Sequence, residues 1–226
     1  MTSEKTEEDY KNPGDVLANE SQDLSKNPKI EIIKGDFMGD TKELEEATKK
    51  YDVPGMVSEA TGLDWKTSIL KLKHIEKSAD WEDDDTVLIN LGTGAYALSG
   101  VSHECLHLIL RQNNWLESSK ISAFIKKYPE MRIDYPEYKA GYPIEQLIAY
   151  LIQDEISKKI GQEEEIGKLI TTGGHGPFEV ILDREYDTNT KKKLGKMIIE
   201  KWPDKKKYPD IIKWIENIIE YFEEGS

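Results

Sequence analysis

The fourteen residues from Ser99 to Gln112, SGVSHECLHLILRQ, constrain this chain more than any other segment. Val101, Leu106, Leu108, Ile109 and Leu110 crowd it too densely for a surface helix, so it is read as a helix set into a core. Inside it runs His103-Glu104-Cys105-Leu106-His107, an HExxH motif. Residues four apart on a helix lie one above the other, so the two imidazoles point at a common spot and can ligate one metal ion. A step of about 100° per residue turns Glu104 aside, too far to ligate but near enough to reach a water on that metal. Cys105 is turned about 200° from His103 and is expected to be a small core residue on the opposite side. The competing reading, a histidine pair on an exposed helix face, does not explain the apolar neighbours.

The pattern on either side sets the fold class. KIEIIKG (29–35) alternates as a strand does, DTKELEEATKKY (40–51) reads as a helix capped by Asp40 or Thr41, and TSILKLKHI (67–75) alternates strictly again. After the acidic turn in WEDDDTVLINLGTG comes a third strand, VLINL, and then the motif helix. Further helices are expected over 118–127, from Pro143 to Gly161, and in DTNTKKKLGKMIIEKW and PDIIKWIENIIEYFEE, while 128–142 reads as a loop. Strands early and helices late predict an α+β protein, dominated by helices, with a small, mostly N-terminal sheet of about three strands packed on the HExxH helix. Residues 1–28 have the composition of a flexible acidic leader, and 29–226 that of the folded domain, in which 117–226 forms a mainly helical lower part.

Composition narrows the partners. A net charge of −13 repels nucleic acid and anionic lipid, so neither is an expected partner. The lysine clusters 191–193 and 205–207 are read as solvated surface. No stretch approaches the roughly 20 apolar residues of a membrane span, and no signal-peptide pattern opens the chain. With a single cysteine no intrachain disulfide forms, which favours a reducing, cytoplasmic setting. Nothing in the sequence speaks to oligomeric state.

On His103, Glu104 and His107, their helix and the strands before it, the chain resembles the zincin metallopeptidases. The metzincin branch places a third histidine six residues beyond the motif, where this chain has Asn113. Peptide deformylases need an upstream cysteine ligand, and the only cysteine here is inside the helix. What remains is similar to the gluzincin branch, in which a glutamate from a following helix completes the site. That resemblance implies Zn²⁺ held by His103, His107 and Glu145, the last in PIEQLIAYL, with Ala149 four residues on. Glu137, Glu155 and His175 are rivals for the third position, and a first-turn glutamate such as Glu145 is also favoured by the helix dipole alone.

The resemblance further implies hydrolysis of a peptide bond in a peptide or protein substrate. Zinc lowers the pKa of its water and polarises the carbonyl, Glu104 acts as general base, and a donor such as His175 steadies the oxyanion. His175 lies in the glycine-rich TTGGHGPFEV, from which a loop can present an imidazole; Tyr142 and Tyr150 compete for its role. The strand Thr86–Leu91 would line substrate backbone, with Gly92–Gly94 shaping the cleft rim. His74 is read as a strand residue, and Trp115, Trp202 and Trp214 as core aromatics. Two further readings stay open: a catalytically silent zincin-like binding or inhibitory protein, and a metal-free helical interaction domain.

Overall fold

A computed structural model of the protein describes residues 27–33, 42–74, 80–81, 85–89, 97–131, 143–161 and 188–225. Three strands run parallel: β1 (Lys29–Ile33), β2 (Ile69–His74) and β4 (Thr86–Ile89). The two-residue β3 (Asp80–Trp81) closes one edge antiparallel to β4, giving the order β1-β2-β4-β3. Lys29 is paired with Ile69, and Lys71 with Thr86. In β2 the alternation works as expected, with Leu70 and Leu72 buried and Lys71 and Lys73 at least partly exposed. Adjacent parallel strands need a crossover. Between β1 and β2 it is made by α1 (Lys42–Lys50) and α2 (Val53–Thr61).

No element was assigned to the α2 segment from the sequence, which carries Pro54 and Gly55. Its start is nevertheless well built: the Asp52 carboxylate caps it by accepting from the Gly55 amide at 3.0 Å, and Pro54 needs no amide donor in a first turn. It ends on Gly62, at φ 70°, in the left-handed conformation that glycine tolerates best.

Every regular element described after β4 is helical. The motif helix α3 spans Ala97–Gln112, beginning two residues before the expected start. A turn of 3₁₀ helix, Trp115–Glu117, leads to α4 (Ser119–Lys127), capped by the Ser118 hydroxyl. Then come α5 (Pro143–Ile160), α6 (Asn189–Lys201), the 3₁₀ segment Trp202–Lys207, and α7 (Ile211–Glu224). The expected caps Asp40 and Thr41 of α1, most of the leader and most of the 128–142 loop lie outside the described residues.

One buried cluster joins β2, β4, α2, α3, α5, α6 and α7. Its axis is α3, buried nearly all round at Val101, Cys105, Leu106, Leu108, Ile109 and Leu110, against Leu147, Ile148, Leu151 and Ile152 of α5. Trp115, Trp202 and Trp214 are buried, as core aromatics should be. The lysine clusters need correcting. Lys192, Lys193, Lys206 and Lys207 are exposed, but Lys191 and Lys205 are buried, because a long apolar stem can be covered wherever the ammonium finds partners. Lys205 finds the Glu155 carboxylate at 3.0 Å and the Ala60 carbonyl at 3.4 Å, with its charge over the Trp202 ring. Among the described residues no helix is long and apolar enough to cross a membrane.

Candidate metal centre

Both motif histidines project from α3 toward α5. The rings of His103 and His107 stand edge to face with centroids 5.0 Å apart, as the four-residue spacing requires. Each uses Nδ1 toward an oxygen of α5. His107 pairs with the Glu145 Oε1 at 2.8 Å, and His103 with the Gln153 Oε1 at 3.2 Å. Moving four residues forward on α3 thus moves eight residues back on α5, so the helices run antiparallel. A carboxylate and an amide oxygen can only accept, so in both rings Nδ1–H donates and the ring lone pair resides on Nε2.

The surroundings favour an uncharged ring at His103. Burial first, and the neighbouring His107 second, push His103 from the ordinary 6.5 down to about 3, against hydrogen bonds to the accepting Gln153 and Gln146 that pull it up. The Tyr150 ring packs edge-on against His103 at 4.7 Å. Glu104, between the two histidines in the chain, is buried. Cys105 is fully buried on the far side of the helix, as expected, and its thiol is raised by that burial and by the charge of Glu104.

Imidazoles anchored through Nδ1 keep Nε2 for a metal ion, as a zinc site requires of two histidine ligands, so the pair fits the metal. Among the described residues no group of three His, Cys, Asp or Glu stands close enough to hold an ion. Glu145 is brought to the pair, where its Oε1 meets the Nδ1 ring nitrogen of His107. Glu155 is taken elsewhere: it accepts from the Trp202 indole at 2.8 Å and from Lys205. His175, Glu137 and Tyr142 lie outside the described residues, as do the last two residues of the expected substrate strand and the whole of the expected rim, 92–94. The side chain of His74 is likewise not described.

Gln146 and Gln153 were not anticipated. A signal for them does exist, since Gln146, Tyr150 and Gln153 form a polar row at four- and three-residue spacing on a helix otherwise apolar on most sides. Asn113, where another branch carries a histidine, closes α3 instead: its amide donates to the Asp64 and Ile109 carbonyls at 2.9 and 2.8 Å.

Fold and site together define a helix-dominated α+β protein with an HExxH histidine pair anchored by a neighbouring helix. No family model, no curated protein and no solved structure matches this chain.

Proposed function

We propose that the chain is a zinc-dependent metallopeptidase of the zincin type, hydrolysing peptide bonds in a peptide or protein substrate. The observation that carries the reading is the pair of motif imidazoles, side by side and each fixed through Nδ1, with Glu104 buried on the same helix. His103 and His107 would hold the ion, with Glu145 part of the same site. Zinc bound there would supply a Lewis acid and a water with a pKa of about 7. Glu104 takes the proton of the attacking water on its carboxylate and passes it to the leaving amine. His175 is the proposed donor to the oxyanion, and Tyr150, packed against His103, is the described candidate for the same duty.

The test has two arms. Zinc content of the full chain is expected at about one ion per molecule and should vanish in His107→Ala. Turnover of a mixed peptide library is expected in the wild type and should fall at least about 100-fold in Glu104→Gln, which keeps its zinc. A wild type that stays metal-free when zinc is offered would sink the reading. The second reading is a silent zincin-like binding or inhibitory protein that keeps zinc on the same imidazole pair without turnover. Bound zinc without turnover on any library member would select it.

A further inference from the structure

We propose that Glu145 is a positioning residue for His107 and not a metal ligand. The inference rests on the imidazole pair being a metal site, and it changes which atoms make that site. The Glu145 Oε1 lies 2.8 Å from His107 Nδ1, with the two side chains only 14% and 7% exposed, so water competes weakly for either partner. Because the carboxylate accepts, Nδ1 keeps its proton and the lone pair is presented at Nε2.

The two nitrogens of an imidazole point away from each other. A carboxylate held on Nδ1 therefore stands behind the ring as seen from anything bound at Nε2, and it cannot share that metal with the same histidine. His103 supplies an independent parallel. Its Nδ1 meets Gln153 Oε1 at 3.2 Å, and a neutral amide is a poor zinc ligand but a good acceptor. Two rings, the same nitrogen and one supporting helix make a shell of acceptors, with the carboxylate raising the basicity of His107 more than the amide raises that of His103.

The experiment uses the full chain with Co²⁺ as probe, comparing wild type, Glu145→Gln, Glu145→Ala and His107→Ala. Glutamine keeps an acceptor oxygen where the carboxylate has one but is a poor ligand, whereas alanine offers neither. The expected result is that Glu145→Gln binds one cobalt with an unchanged visible band and an affinity within about 10-fold of wild type. Glu145→Ala should weaken binding about 10- to 100-fold with the same band. Loss of cobalt in Glu145→Gln as complete as in His107→Ala, or a band that reports one ligand fewer, would overturn the proposal. A second measurement needs no metal. Long-range ¹⁵N–¹H spectra should show His107 as the Nδ1–H tautomer in wild type and Glu145→Gln, and as a mixture in Glu145→Ala. An Nε2–H tautomer in the wild type would also overturn it. A wild type that binds no cobalt removes the metal reading, while the tautomer spectrum still decides what Glu145 does.

Discussion

Protonating His103 conflicts with the fold, because its imidazole is held at about 3 where the unfolded chain titrates near 6.5. Between those values the unfolded state binds more protons, so the stability of the metal-free protein rises with pH there. It should be complete above about 6.5 and should decline as the pH falls from there toward about 3. Urea midpoints taken from neutral to mildly acidic buffer will show this, and His103→Gln should flatten the decline over that window. An equally steep loss in the variant would assign it to other groups. Glu104 and Cys105, its neighbours along the helix, are both buried, the thiol completely.

At the scale of elements, two contacts tie the 202–210 segment to the rest of the fold and can be broken one at a time. A Cβ at Gly62 would stand 2.4 Å from the Pro209 carbonyl oxygen in a left-handed conformation. Gly62→Ala should therefore cost more than about 2 kcal/mol in a urea melt. Glu155→Ala leaves the buried Lys205 ammonium without its carboxylate and should cost about 3 kcal/mol, while Lys206→Ala, on exposed surface, should stay within about 0.5 kcal/mol. The strands and long helices were legible because their periodicity is strong: β2 alternates residue by residue, and α7 repeats Ile211, Trp214, Ile215 and Ile218 along one stripe. The helix α2 was not, since Pro54 and Gly55 are turn residues everywhere except in a capped first turn. Lys205 was misread because its burial depends on Glu155, fifty residues away, which no local pattern reveals. The site divides the same way. His103, Glu104 and His107 follow from spacing within one helix, whereas the contacts made by Glu145 and Gln153 depend on how a second helix slides along the first.

For the molecule as a whole, Cys105 is a built-in reporter. A thiol that is fully buried and raised in pKa reacts only when the core opens, so its labelling rate follows global unfolding. With zinc at about 100 times its dissociation constant, the folded state should gain about 2.7 kcal/mol and labelling should slow about 100-fold. Labelling that is unchanged by zinc would mean that the ion does not bind the folded form. The antiparallel pairing of α3 with α5 has one more consequence. Both imidazoles borrow their proton acceptors from a single neighbouring helix, eight residues apart. A slip of one turn, about 5.4 Å, would strip both rings at once. The motif helix alone is therefore not a portable part: transplanted into another scaffold it would carry two histidines of undefined tautomer, and the smallest unit that can be grafted with its chemistry intact is the pair of helices in register.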